Sequence, residues 1–447
     1  MAPALLPQEL IDSILDHLHD DIPALRQCVL VSHSFHAATQ GHLYHQVVLV
    51  HYTWSPHMRK PYTGAWYTCA NFYQLICHSP HIPPLVKSFV VHDGLLGNDS
   101  YDQTTKRLFN KKFLPLIFPL LPCPRRIVLM NRSVRLGINN LPRSLKSSIR
   151  DAFRSPHITI IHLDGLEQVD QGWLLSLFEG CPSLKHLTLT WFNESRRHSF
   201  PLSEELLVKP INTSPALEAL SFADEVSFIV DELFMMQPLF NISRLRKLSI
   251  HSRSRTDCRI IQKLLNATQD CLEELILRTQ GSLPSTHLFL PVLPGLGPHA
   301  QALDISGNTK LRTVYLVVNA KYPDWPMTIP FSTILQGLTI EAAFWPGRSA
   351  AGIERLNWSS LDAYVSQRMP SLCNINVKLH AANKHADDCT SRVCTGRTRS
   401  GDKCMIDAVK YVHKHLPTLN NMGTLQIEET SKRTTWSIDD TLCSSVF

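Results

Sequence analysis

The chain has 447 residues, more than one compact core holds and enough for two or more domains or an elongated repeat. With 44% hydrophobic and 18% charged residues it excludes the low-hydrophobicity, high-charge composition of disorder. The net charge of +6 is mild: residues 1–50 hold five acids against Arg26, and the positive excess is spread over the rest, which gives little reason to expect nucleic acid.

Residues 1–20 carry acids and lack the basic start and apolar run of a secretory signal. The most apolar stretch, residues 113–123, is broken by prolines and too short to span a bilayer, so no membrane is expected. Twelve cysteines without framework spacing read as reduced thiols, and the expected location is cytoplasmic and/or nuclear. Proline (29) outnumbers glycine (18), which favours stiff connections between short elements.

Taken in order, the chain opens on three predicted helices. Leu6, Leu10, Ile11, Ile14, Leu15 and Leu18 recur at helical spacing, with Pro7 in the first turn and Glu9 near the positive end of the helix dipole. Asp21 is a predicted N-cap for a second helix carrying Leu25, Cys28 and Val29. Ser32 or Ser34 starts a third, with Phe35, Ala38, Gly41 or His42, and Leu43 on its buried side. So short a module has more apolar positions than its own core can use, which leaves two readings: a surface for a partner, or a helical cap on a larger domain.

The elements of this stretch, Leu-Pro-x-Glu-Leu from Leu6, Ile-x-x-x-Leu-x-x-Leu from Ile11, Leu-Val-Ser-x-x-Phe from Leu30 and His-Leu-Tyr from His42, resemble an F-box over about residues 5–48. Ser32 stands where that family often has cysteine and Phe35 where it often has tryptophan. The resemblance implies docking on the Skp adaptor of cullin-based ubiquitin ligases. The adaptor-facing positions it implies are Leu6, Pro7, Leu10, Ile14, Leu18, Leu25, Val29, Val31, Phe35 and Leu43.

A strand-like run at 47–50, a polar and aromatic loop, and a helix-like segment at 69–77 then read as a joint. From about residue 82 a Leu-x-x-Leu-x-Leu pattern keeps returning. Clear copies begin at Leu184, Leu217, Leu245, Leu272, Leu311, Leu335 and Leu372; weaker ones occur at 85–91, 125–129, Ile158 and Met422. From Ile158 to Leu372 the starts are 24 to 39 residues apart, and helix-like segments lie between them at 173–178, 230–236, 258–267 and 361–369. One strand and one helix per repeat predict a solenoid with a parallel sheet. The pattern resembles leucine-rich repeats, although repeat length varies and the asparagine expected after the strand is mostly missing, Asn319 being the best exception. The layout is similar to the divergent F-box proteins of mushroom-forming fungi.

The predicted fold is therefore α/β: a short three-helix F-box (1–48), a linker or joint segment (49–81), a leucine-rich-repeat-like solenoid with a curved parallel sheet (82–430, with a basic loop insertion at about 383–403), and a tail (431–447). In such a solenoid the repeat leucines are core. Binding residues are expected on the alternate, outward strand positions and their loops, among them Lys185, His186, Thr188, Glu218, Arg246, Lys247, Glu273, Glu274, Arg312 and Thr313.

No nucleophile, base and oxyanion donor assemble, and no Gly-x-Ser-x-Gly, P-loop or His-Glu-x-x-His is present. His380, His385, Cys389, Cys394 and Cys404 have no finger spacing, so a basic loop is expected there in preference to a zinc site. Gly295-x-Gly297 is flanked by prolines and lacks the acid of a dinucleotide fingerprint. No catalytic residue, cofactor or metal is expected. The expected function is a non-catalytic substrate receptor of a Skp–cullin–F-box ubiquitin ligase with an unknown protein target; the alternative is an interaction scaffold without a ligase role.

Overall fold

The computed structural model describes residues 6–19, 21–50, 64–93, 112–131, 141–165, 171–190, 214–223, 230, 233–234, 239–252, 258–279, 304–319, 335–344, 353, 358–369, 371–381 and 398–429. The chain forms two compact units, one of residues 1–215 with 237–240, the other of residues 216–236 with 241–447. Both are α/β, and the strand pairings among the described residues of each are parallel.

The first unit begins with α1 (Gln8–His17), α2 (Ile22–Cys28) and α3 (His33–His45). Six strands follow: β1 (Gln46–Val50), β2 (Ala65–Tyr67), β3 (Ser88–Asp93), β4 (Arg126–Asn131), β5 (Ile160–Asp164) and β6 (His186–Thr190). Their order is β6-β5-β4-β3-β1-β2. The sheet thus starts at Gln46, one residue before the expected strand-like run at 47–50, and β1 crosses the expected boundary between the three-helix module and the joint. The run from Val47 to Leu49 has no exposed side chain on either face, and its backbone is matched by neighbours on both sides, β2 and β3.

Register explains the repeat. Val47, Phe89, Ile127, Ile161 and Leu187 stand opposite one another in successive strands, as do Leu49, Val91, Leu129, Leu163 and Leu189. All ten side chains are buried. Helices α4 (Cys69–His78), α5 (Leu114–Ile117), α6 (Arg143–Phe153) and α7 (Gln171–Phe178) fill the connections. Phe72 of α4 lies 6.2 Å from Phe89 of β3, which in turn meets Phe118 edge-on at 5.4 Å, so aromatic rings bridge helix and sheet.

The second unit carries β7 (Ala219–Ala223), β8 (Lys247–Ser252), β9 (Glu274–Thr279), β10 (Thr313–Asn319), β11 (Gly337–Phe344), β12 (Asn374–Ala381) and β13 (Leu425–Glu429), again in chain order. Leu220, Leu248, Leu275, Val314, Leu338, Ile375 and Leu425 share one register line. The helices are α8 (Cys258–Ala267), α9 (Trp358–Arg368), α10 (Thr398–His415) and α11 (Pro417–Asn421). Buried Asp362 of α9 caps α11, accepting from the amides of Thr418 (3.1 Å) and Leu419 (3.0 Å).

Two expectations are corrected. Residues 398–403, expected as basic loop, begin α10, which buries Met405, Ala408 and Val412 at helical spacing further along; residues 383–397 of that loop, and the tail from 431, lie outside the described residues. Of the alternate strand positions, expected to face outward, Val48, Val90, Val128, His162, Ser221, Ser249 and Ile276 are buried, whereas among the named candidates Lys185, Arg246, Arg312 and Thr313 are exposed and His186, Thr188, Glu218, Lys247, Glu273 and Glu274 are half-buried. Parallel strands packed on both faces account for the buried ones.

Candidate partner-binding surface

Helix α1 is apolar on two sides. Ile11 and Leu15 point inward and, with Leu25 of α2, form a small core against which Leu18, Ile22, Cys28, Phe35, Ala38 and Leu43 pack. Leu6, Leu10 and Ile14, four residues apart, follow a separate stripe and remain 53%, 51% and 43% exposed. In the turn between α2 and α3, Leu30 and Val31 are 79% and 65% exposed.

Local hydrogen bonds fix the helix starts. Asp21 Oδ1 accepts from the Ala24 amide at 3.0 Å, and Ser32, not Ser34, caps α3 by accepting from the Phe35 amide at 3.3 Å. His42 Nε2 of α3 lies 3.6 Å from Asp16 Oδ1 of α1. The module is also tied to the sheet: α3 ends at His45, β1 starts at Gln46, and Tyr44 hydrogen-bonds with Tyr67 of β2. Burial, followed by the Tyr44 contact, pushes the Tyr67 phenol upward.

The ten positions implied by the F-box resemblance therefore divide. Leu6, Pro7, Leu10, Ile14 and Val31 are exposed. Leu18, Val29, Phe35 and Leu43 are half-buried, and Leu25 is wholly enclosed, so its side chain serves the packing of the module. Leu30 was missing from that set. Its signal is an apolar pair placed directly before the Ser32 cap, where no helical face can bury it.

A second cluster lies on β9–β12. Glu341 is held at both oxygens, by Tyr315 Oη and by His380 Nε2 at 3.0 Å. Burial raises the Glu341 carboxyl, but hydrogen bonds from His380 and Tyr315 outweigh it and hold the group below its usual range. Burial drives the Tyr315 phenol up, helped by Glu341. Arg278 sits in the field of Tyr315 and Glu341, and its Nε is buried with no acceptor. Beside them, Asn376 Nδ2 donates to Glu428 Oε1 at 2.6 Å, and Lys378 Nζ lies 3.4 Å from Glu428 Oε2. Cation and carboxylate numbers nearly balance, so the cluster reads as a structural network across neighbouring strands.

Of the residues weighed for zinc, His380 is thus engaged with Glu341, Cys404 falls in α10, and His385, Cys389 and Cys394 lie outside the described residues, as does Gly295-x-Gly297. Among the described residues no group of three or more His, Cys, Asp or Glu could hold a metal ion, and no helix is long and apolar enough to cross a membrane. Burial raises the Cys181 thiol to about 12, which removes it as a nucleophile at neutral pH. No family model and no curated protein matches the chain.

Proposed function

We propose that the chain is a non-catalytic substrate-recognition subunit of a Skp–cullin–F-box ubiquitin ligase, acting in the cytoplasm or nucleus. The observation that carries this reading is the outward stripe Leu6, Leu10 and Ile14, which begins in the Leu-Pro-x-Glu-Leu motif and is left open by the packing of α1–α3. Exposed aliphatic side chains one turn apart on α1, Leu10 and Ile14, with Leu6 just ahead of the helix, suit a helix-packing partner. In this reading the adaptor covers that stripe with Leu30 and Val31, the repeat strands form a leucine-rich-repeat-like solenoid that holds a protein target, and tethering raises the target's effective concentration near activated ubiquitin.

One observation favours a second reading, an interaction scaffold in which the helices only cap the sheet. Helix α3 runs into β1 without a linker, and the Tyr44–Tyr67 contact ties the helices to the edge strand β2. Adaptor binding separates the two. Co-expressed with its Skp adaptor, the full chain is expected to elute as a stoichiometric complex on size exclusion. Leu10→Ala with Ile14→Ala should abolish co-elution, since truncating an interface anchor costs about 2 kcal/mol or more. A folded chain eluting apart from the adaptor would leave the scaffold reading in its place.

A further inference from the structure

The residue that follows the first apolar position of each repeat stands just before the strand. In the first unit these residues are His45, Lys87, Arg125, Thr159 and Lys185. Backbone hydrogen bonds join them rung by rung: the Lys87 amide donates to the His45 carbonyl (3.0 Å), Arg125 to Lys87 (2.8 Å), Thr159 to Arg125 (2.9 Å) and Lys185 to Thr159 (2.9 Å). The spacing between rungs is that of adjacent strands, about 4.8 Å. Arg126, Arg154 and His157 belong to the same row of turns, and Glu179 is the one acid in them.

The matching row of the second unit is built differently. It reads Glu218, Arg246, Glu273, Arg312 and Gln336, joined by the same kind of amide-to-carbonyl rungs, and its charges cancel. Arg246 Nε lies 3.8 Å from Glu273 Oε1 and Lys247 Nζ 3.2 Å from Glu274 Oε2. In the first unit, by contrast, neither Lys87 nor Arg125 makes an ion pair among the described residues; Lys87 Nζ donates only to the Pro84 carbonyl, at 2.7 Å. The charge that is thinly spread in sequence is gathered by the register into one stripe of like sign, and Arg125 and Lys185 are exposed. The same field reaches His45, whose imidazolium is disfavoured by burial first and then by His42, Lys87 and Arg125.

We propose that the turns before β3–β6 form a docking stripe for an acidic polypeptide segment, a run of Asp and Glu on a partner protein. The stripe supplies charge complementarity along one line, as an extended acidic chain requires. A single-stranded nucleic acid fits it less well: bases need stacking platforms, and the turns at 83–88, 121–126, 154–160 and 179–186 contain no Phe, Tyr or Trp. The inference does not depend on whether α1–α3 bind an adaptor.

The test uses the full chain and a fluorescein-labelled decaglutamate at low salt, about 50 mM, where screening reaches no nearer than roughly 10 Å. Saturable binding is expected, weakened by about tenfold or more in Lys87→Glu with Arg125→Glu and unchanged within about twofold in Arg246→Glu with Arg312→Glu. Lys87→Gln with Arg125→Gln, which removes charge without reversing it, should give an intermediate loss and unaltered circular dichroism. Absence of saturable binding, or equal binding by the wild type and both Lys87/Arg125 variants, overturns the proposal. So does tighter binding of a ten-residue oligothymidylate that is lost in the same variants, since the stripe would then be a nucleic-acid site.

Discussion

Neighbouring residues of α1 have opposite fates. Leu15 is enclosed against Leu25, while Ile14 beside it is open to solvent. Leu15→Ala leaves a cavity in a core of very few side chains and should destabilise the first unit by about 2–5 kcal/mol. Leu10→Ala removes an exposed side chain and should leave stability within about 0.5 kcal/mol. Urea unfolding followed by circular dichroism separates them. Equal losses in the two variants would mean that the outward stripe is packed, and the partner surface would have to be sought elsewhere. Glu341 shows the same dependence on surroundings: what holds its carboxyl down is a pair of donors from two other strands.

Among the elements, β2 is the most dependent on a single residue. It is three residues long, stands at the end of the sheet and is entered through Gly64, whose φ of +117° lies in the region that favours glycine. A Cβ at Gly64 would stand 2.5 Å from the Gln46 carbonyl oxygen, which is backbone and cannot swing away. Gly64→Ala should therefore cost roughly 1–3 kcal/mol locally. It should free β2 from β1 before the rest of the sheet opens, seen as faster amide exchange at residues 65–67 with little change at β4. Unchanged exchange at β2 would show that the turn accommodates the side chain. Element positions were well marked in advance: the strand-like run at 47–50 is β1 less one residue, the segment at 258–267 is α8, and each Leu-x-x-Leu-x-Leu copy became a strand. Burial of the pattern's apolar positions in register columns is the reason, since a column accepts only apolar side chains at each level.

On the scale of the molecule, stability should fall on the acid side through Glu341. Its folded-state pKa lies below the usual carboxylate range, so the stabilisation is present above the unfolded-state pKa and is lost as pH falls through the folded one. Glu341→Gln should lower the melting temperature at pH 7 and flatten its fall between about pH 5 and 3. Parallel acid-side curves for wild type and variant would remove Glu341 from the account. The two units also differ in how they handle charge along the strand starts, one alternating sign and the other holding one sign. The alternating row pairs its own charges, and the one-sign row is the stripe proposed above for an acidic segment.

The sequence by itself determined where the strands lie, where the N-terminal helices start at Asp21 and which leucines form the core, because these rest on local spacing: a cap, a period, a repeated triplet. Only the tertiary structure decided which stripe of α1 faces inward, since Leu6, Leu10, Ile11, Ile14, Leu15 and Leu18 are apolar alike and the choice belongs to Leu25 and Phe35 on other helices. It also decided that β2 would form and pair with β1, that alternate strand residues such as Val48, Val90 and Val128 would be covered, and that Lys87, Arg125 and Lys185 would line up. Each of these depends on register between residues tens of positions apart, and spacing within one segment carries no record of what pairs with it.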